Sequence, residues 1–175
     1  MNISEERINV IDALQSAIKD RHHPFHLLVL AYSGDQAEAC TIVLRQASET
    51  VLAFNTNVHS KKVKSFHINP KVSLLGYDKE EKWQVRIKGE VSCHHKDDVS
   101  LKTWQAMKSF SKLCYLQLQP GQVLESITHD AAQQKLELQK IEDDPLYGYD
   151  NFVVCEVKIE HIESLRLHHL GHERV

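Results

Sequence analysis

Long hydrophobic runs are missing from this chain of 175 residues. Its apolar run at residues 26–32 is far shorter than the roughly 18 consecutive apolar residues that indicate a membrane-spanning helix. The first residues, MNISEERINV, carry two glutamates where a secretory signal peptide would be basic and then apolar. These absences argue against membrane insertion and secretion, and they predict a cytoplasmic protein.

An excess of charge of either sign is also missing. Lysine and arginine number 21 and aspartate and glutamate 24, which gives a net charge of −3. Because no global basic field is present, we do not expect a nucleic-acid partner. No internal repeat, low-complexity tract or linker rich in proline and glycine divides the chain. We therefore expect a single domain over residues 1–175.

Closely spaced cysteines are the third absence. The four cysteines lie far apart, form no CxxC motif and have apolar neighbours: Cys40, Cys93, Cys114 and Cys155. A disulfide framework would be unexpected in a chain of this length without an export signal. We expect four reduced thiols that are mostly buried as small apolar residues.

Hydrophobic periodicity predicts a mainly antiparallel sheet with helices packed outside it. The clearest pattern is the strict alternation of apolar and polar residues from Trp83 to Cys93, a strand in which Gly89 could mark a bulge. A helix opening at Asp97 and Asp98 would carry one apolar face as far as Cys114. The other predicted helices are 5–19, 61–68 and 128–141, and the other strands 24–32, 37–45, 51–56, 72–77 and 152–160. Consecutive strands with short turns indicate an α+β fold: a barrel of about six strands with flanking helices.

One region combines the residue types that bind phosphate. Arg45 ends one predicted strand, Asn55-Thr56 end the next, and Ser60-Lys61-Lys62 begin a helix. Free N–H groups at a helix start favour an anion, and a hydroxyl, two lysines and an arginine would complete a phosphate site. On spacing alone, Ser60 could equally be a helix cap and the two lysines a solvated face.

The ordered motifs of this region resemble those of the pyridoxamine 5′-phosphate oxidase family, the FMN-binding split barrels. In outline the family pattern is R-x-V-L-L-K, an aromatic or related residue with T-N, then S-R-K, N-P and R-Q-V-R-x-x-G. The corresponding segments here are Cys40–Arg45, Asn55–Asn57, Ser60–Lys62, Asn69-Pro70, and Trp83–Arg86 with Gly89. The resemblance covers about 50 residues in order, and each motif alone would be weak.

The resemblance implies a set of FMN contacts. Ser60, Lys61 and Lys62 match the turn that grips the FMN phosphate, and Arg45 stands where the family has a lysine near the flavin. Asn55 and Thr56 match the pair along the cofactor, Gln84 matches the glutamine at the isoalloxazine edge, and Arg174 matches an arginine that reaches the flavin. The family is homodimeric with flavins between subunits, so the resemblance also implies a homodimer.

Two departures from the family pattern bear on function. Cys40 replaces an arginine that is also a phosphate ligand, and Leu170 replaces the first arginine of the C-terminal R-L-H-D-R motif that holds pyridoxal phosphate. The candidate substrate contacts are therefore reduced to Trp104, Lys112 and His172, and no catalytic residue is assigned. The sequence does not decide whether the protein oxidises vitamin B6 phosphates. The substrate is expected to be an unidentified small molecule.

Two further groups of residues have competing interpretations. His168, His169 and His172 could bind haem or a metal, but three histidines near a chain end are more often solvated, and we expect no metal site. Trp104, Met107 and Phe110 at helical spacing are more typical of a core than of a substrate box. The sequence thus predicts an FMN-dependent oxidoreductase. The alternative is a split-barrel module that binds haem, another tetrapyrrole or flavin without turnover, and a nicotinamide-dependent flavin reductase is a further option without a dedicated motif.

Overall fold

The computed structural model describes residues 3–116, 131–167, 171 and 173–175. Five α-helices, seven strands and two short 3₁₀ helices are described, the latter at Leu113–Tyr115 and Tyr149–Asn151. The helices are α1 (Ile3–Lys19), α2 (Lys61–Ile68), α3 (Asp98–Ala106), α4 (Ser109–Lys112) and α5 (Ala131–Asp143). The strands are β1 (Leu27–Ser33), β2 (Ala37–Ala47), β3 (Val51–Asn57), β4 (Lys71–Asp78), β5 (Trp83–His94), β6 (Phe152–Arg166) and β7 (Glu173–Arg174).

The strands form one sheet in the order β3-β2-β1-β4-β5-β6-β7. An additional pairing of β3 with β6 closes six of these strands into a barrel, and the two residues of β7 extend β6. Neighbours in sequence pair antiparallel, as β1–β2, β2–β3 and β4–β5 show. The predicted α+β split barrel is confirmed, and its closure removes the unpaired edges that an open sheet would present.

Two compact units divide the described residues. The barrel unit consists of the chain up to Asn55, Ser65–Ser92 and the chain from Cys155, and it contains α1 and most of the sheet. The helical unit consists of Thr56–Lys64 and the described part of Cys93–Val154, with α3, α4 and α5. The single domain expected over the whole chain stays a prediction.

Alternation along β5 produces the barrel core as the sequence indicates. Trp83, Val85 and Ile87 are buried, and the polar residues between them lie on the other face. Gly89 is not a bulge in the β4–β5 ladder, because the register continues through it with Val72 opposite. A Cβ at Gly89 would instead collide with the main-chain carbonyl oxygen of Lys158. The glycine therefore serves a close backbone approach.

The long apolar helix face predicted from Asp97 to Cys114 is wrong beyond Ala106. Asp97 caps α3 through a capping box with Ser100, but Met107 and Lys108 are extended, with ψ of 143° at both. The chain restarts as α4 in a new direction, which leaves Phe110 65% exposed instead of in the core. The predicted helix start at residue 128 lies outside the described residues.

No disulfide joins any two of the four cysteines, all of which lie among the described residues. Cys155 is buried and Cys40 and Cys93 are half-buried, whereas Cys114 is exposed on the 3₁₀ turn. The expectation of burial is therefore wrong for Cys114, because the restart at α4 changes which side of the segment faces inward. Among the described residues, no helix is long and apolar enough to cross a bilayer, and no three histidine, cysteine or acidic side chains form a metal-binding group.

Candidate functional site

The turn from β3 into α2, within the helical unit, brings three predicted site residues together. Thr56 is 8% exposed and Ser60 5% exposed, and their hydroxyl oxygens lie 3.3 Å apart. Lys62 donates from Nζ to Thr56 Oγ1 at 3.4 Å. Two buried hydroxyls and an ammonium group thus converge at the first turn of a helix, and exposed Lys61 lies beside them.

Local hydrogen bonds shape this turn. His59 N–H donates to Asn57 Oδ1 at 2.9 Å, and Ser60 N–H donates to the Asn57 carbonyl oxygen at 3.0 Å. This side-chain-to-backbone closure is typical of asparagine in turns. Val63 N–H then donates to the Ser60 carbonyl oxygen as α2 begins. The helix ends at Ile68, before Asn69-Pro70, where proline removes a donor.

A buried amide pair anchors the same turn inside the helical unit. Asn57 and Asn151 each donate from Nδ2 to the Tyr115 carbonyl oxygen, at 3.3 and 3.0 Å. Val58 N–H also donates to the Asn151 carbonyl oxygen at 2.8 Å. The sequence motif contains Asn57, but only the structure shows that it anchors the turn. Asn151 carries no sequence signal that would single it out.

The chemistry of this turn fits a phosphate group. Hydroxyls and lysine ammonium groups donate hydrogen bonds to phosphate oxygens, and the N–H groups at a helix start add partial positive charge. The turn also carries no acidic side chain between Thr56 and Lys64 that would repel an anion. The alternative, in which Ser60 is a helix cap and the lysines form a solvated face, also agrees with a buried Ser60 and an exposed Lys61, so the phosphate site stays a prediction.

A second set of predicted residues lies on the outward face of the barrel unit. Gln84 on β5 is opposite Tyr77 on β4, and Arg86 is opposite Leu75. Directly opposed residues share a face of the sheet, and so do residues two apart along a strand. Val29 of β1 is opposite Leu75 on the same face. Large apolar side chains remain exposed on this face: Leu27, Val29 and Tyr77.

Arg174 lies near Arg86 of this face because both contact Glu163, an acidic residue that the sequence does not single out. Arg86 Nη1 lies 3.3 Å from Glu163 Oε1, and Arg174 Nε lies 4.0 Å from the same oxygen. Because Gln84 precedes Arg86 by two residues, the structure brings the predicted contacts Gln84 and Arg174 to one region. No sequence pattern links Glu163 to this region, since β6 and β7 reach it only through sheet pairing.

Arg45 lies at an irregularity in the β2–β3 ladder of the barrel unit. The register pairs Leu44 with Phe54 but Gln46 with Ala53, so Arg45 is the additional residue of a β-bulge. Bulges change the direction of a side chain and are frequent beside active sites. Arg45 is exposed, and Asn55, further along β3, is half-buried. Cys40, which replaces the family's arginine, is opposite Leu30 and half-buried.

Two candidate substrate contacts lie together in the helical unit but are buried. Trp104 is inaccessible, donates from Nε1 to the Pro145 carbonyl oxygen at 2.9 Å and packs against Tyr115 and Phe152. Lys112 Nζ lies 5.0 Å above the Trp104 ring and donates to the same carbonyl oxygen at 3.3 Å. Burial lowers the pKa of Lys112. Trp104 is thus a core residue, and its contact with substrate stays a prediction.

The C-terminal histidines lie outside the described residues, namely His168, His169 and His172. Their assignment to a substrate, haem or metal stays a prediction for the same reason.

Comparison with known proteins gives one family and a consistent fold. Residues 9–95 match the family model described as pyridoxamine 5′-phosphate oxidase, FMN-binding domain. No curated protein matches the chain in sequence.

Three solved structures illustrate the structural similarity. A pyridoxamine 5′-phosphate oxidase-related, FMN binding protein from Nostoc punctiforme is 19% identical, with a TM-score of 0.75 over 99% of this chain and 91% of that one. PhzG from Burkholderia lata, solved in complex with tetrahydrophenazine-1-carboxylic acid, is 16% identical, with a TM-score of 0.71 over 95% of this chain and 83% of that one. HupZ from Group A Streptococcus is 11% identical, with a TM-score of 0.53 over 90% and 97% of the two chains.

These structural matches are too distant in sequence to show more than the fold. The family-model match covers the strands and the turn in which the predicted phosphate contacts lie. Together with the split-barrel fold, it shows that the chain belongs to the pyridoxamine 5′-phosphate oxidase-like FMN-binding split-barrel family.

Proposed function

We propose that the protein is an FMN-binding oxidoreductase acting on a small molecule in the cytoplasm. The observation that carries the proposal is the buried turn in which Thr56, Ser60 and Lys62 converge. This turn supplies donors suited to a phosphate, and it lies within the segment that matches an FMN-binding family model. The loss of the family's arginine at Cys40 leaves Arg45 and the two lysines as the cationic phosphate contacts.

Each part of the chain has a distinct task in this proposal. Ser60, Lys61, Lys62 and Arg45 would hold the FMN phosphate, and Asn55 and Thr56 would line the cofactor. Gln84 would hydrogen-bond the edge of the flavin ring, with Arg174 beside it. Bound FMN would supply two-electron redox chemistry, while the protein supplies binding, orientation and local charge.

The exposed apolar face of the barrel supports a homodimer with the flavin between subunits. Leu27, Val29 and Tyr77 are more than 40% exposed on the face that also carries Gln84. Contiguous exposed apolar surface of this kind marks an interaction site in many proteins. A second copy covering the face would bury these side chains and would exclude water from Gln84.

The phosphate site is tested by titrating purified protein with FMN. We expect a yellow protein that releases FMN on denaturation, and severely weakened FMN binding in the variant Lys61→Ala/Lys62→Ala. Lys64→Ala is the matched control, because Lys64 is an exposed lysine on the same helix, α2. Unchanged affinity in the double variant would refute the phosphate site, and a red protein containing haem would favour the tetrapyrrole-binding alternative.

The dimer is tested by Val29→Glu, which places a charge in the middle of the exposed apolar face. We expect a dimer for the wild type and a monomer for Val29→Glu in sedimentation equilibrium, with FMN binding weakened in the monomer. Val99→Glu is the control, because Val99 is a comparably exposed valine on α3. A wild-type monomer, or a Val29→Glu dimer, would contradict this arrangement.

A further inference from the structure

Three charged side chains meet on the outward face of the barrel unit. The Arg86 and Arg174 guanidinium groups lie 3.3 and 4.0 Å from one carboxylate oxygen, Glu163 Oε1. Glu163 is the least exposed of the three, at 17% for its side chain. Two positive groups and one negative group give the cluster a net charge of +1.

Glu163 differs from the ordinary surface ion pairs of this protein. Its Oε1 atom is shielded from solvent and accepts no hydrogen bond among the described residues. A shielded carboxylate oxygen without a donor loses hydration that its ion pairs only partly replace. By contrast, Glu160 on the same strand bonds Lys71 directly at 2.9 Å and remains exposed. The shielded Oε1 atom therefore depends on the two guanidinium groups rather than on solvent, which suits Glu163 to fix the positions of Arg86 and Arg174.

The position of the cluster suggests that role. Arg86 follows Gln84 by two residues on β5, so both side chains project from the same face. We propose that Glu163 is a positioning residue that holds Arg86 and Arg174 at this face and lowers the reduction potential of FMN bound beside Gln84. The inference rests on the proposed function, because Gln84 and Arg174 are flavin contacts only within that proposal.

Simple electrostatics gives the direction of the effect. Reduction adds electrons to a flavin, so nearby positive charge favours the reduced form and negative charge favours the oxidised form. Glu163 offsets one of the two guanidinium charges. Replacing Glu163 with glutamine changes the net charge of the cluster from +1 to +2 and should raise the reduction potential. Replacing Arg86 with glutamine changes it from +1 to 0 and should lower the potential.

Glu160→Gln is the matched control for the charge change. Glu160 lies on the same strand and also loses an ion pair when it is changed. Its partner Lys71 is six residues from Tyr77 along β4, which is about 20 Å in a strand. Glu160→Gln should therefore leave the potential unchanged, even if the lost ion pair alters thermal stability.

The experiment measures the reduction potential of bound FMN by equilibration with a reference dye. We expect a positive shift for Glu163→Gln, a negative shift for Arg86→Gln, a potential near that of wild type for Glu163→Asp, and no shift for Glu160→Gln. The opposite signs of the potential shifts for Glu163→Gln and Arg86→Gln separate an electrostatic role from structural damage. If one of these two variants does not fold, the shift of the other still tests the inference.

Two outcomes have different meanings. Wild-type protein that binds no FMN would refute the proposed function before any variant is compared. Wild-type protein that binds FMN, with the same potential in Glu163→Gln and Arg86→Gln, would refute the role of Glu163 and leave FMN binding intact.

Discussion

The two groups of candidate residues differ in how completely the isolated chain assembles them. At the β3–α2 turn, Thr56, Ser60 and Lys62 are already joined by side-chain contacts, and the two hydroxyls are buried. On the outward barrel face, Gln84 is half-buried and Arg174 is exposed. The proposed phosphate anchor is thus built from nearby residues of one turn, whereas the proposed surface for the flavin ring is open to solvent.

This difference has an energetic consequence. Groups that are fixed before binding lose little conformational entropy when a ligand arrives, so the turn is suited to supply affinity. The open face has exposed apolar side chains and a charge cluster. Covering its apolar side chains would remove them from water, which is favourable in free energy. Under the proposed function, the turn supplies affinity for the phosphate, and the barrel face encloses the flavin and tunes its potential.

The largest expected effect comes from damaging the core side of the barrel, on which Gly89 lies, while leaving the turn unchanged. Gly89→Ala places a Cβ against the Lys158 main-chain carbonyl oxygen, which only a backbone shift can relieve. We expect a loss of about 3 kcal/mol in the free energy of unfolding, measured by urea denaturation. Gly34→Ala is the control, because the nearest atom to its Cβ is the movable Ser65 hydroxyl at 3.3 Å. Equal stability of the two variants would contradict the close approach.

The next effect comes from damaging the turn while leaving the barrel face unchanged. Asn57→Ala removes the acceptor of His59 N–H and one of the two amide donors to the Tyr115 carbonyl oxygen. We expect a loss of about 2 kcal/mol in unfolding free energy and weaker FMN binding, from denaturation and titration.

An asparagine in an exposed turn provides the control for Asn57. Asn69 accepts a hydrogen bond from Lys71 N–H at 3.1 Å, and Asn69→Ala should change the unfolding free energy by less than about 0.5 kcal/mol. If Asn57→Ala bound FMN as tightly as wild type, the turn would not depend on its amide anchor.

The sequence predicts the turn better than it predicts the barrel face, for a physical reason. Ser60, Lys61 and Lys62 are consecutive residues at a helix start, so local rules find them. The strand β5 is also predictable, since its alternation extends from Trp83 onward. Both features depend on residues close together in the chain.

Contacts that depend on distant pairing escape this kind of prediction. Glu163 meets Arg86 only because strands separated by many residues lie side by side, and no local pattern encodes that pairing. The end of α3 is missed for a different reason, because apolar spacing continues to Phe110 although the backbone is extended at Met107 and Lys108. Periodicity records where apolar residues fall, and it does not record where the backbone leaves the helix.

The smallest expected effect concerns Lys112, whose burial has two explanations. It could be held ready for an anionic substrate, as the turn is for a phosphate, or it could be a core residue whose ammonium group is held by Trp104 and the Pro145 carbonyl oxygen. Lys112→Met keeps the apolar stem against Trp104 and removes the charge. If Lys112 is only a core residue, we expect a change of about 1 kcal/mol or less in unfolding free energy, since a lost cation–π contact is offset by the removal of a buried charge.

The pH dependence of stability distinguishes Lys112 from an ordinary surface lysine. Burial lowers its pKa in the folded protein, whereas the unfolded chain has a lysine pKa of about 10.4. Between these two values the unfolded chain binds more protons, so the contribution of Lys112 to stability rises as pH increases toward about 10.4. Thermal melts across the alkaline range should show this rise in the wild type and in Lys108→Met, a control at an exposed neighbour, and a flatter profile in Lys112→Met. Identical profiles in all three proteins would mean that the Lys112 ammonium group is hydrated. A ligand that flattens the wild-type profile would indicate an anion bound at Lys112.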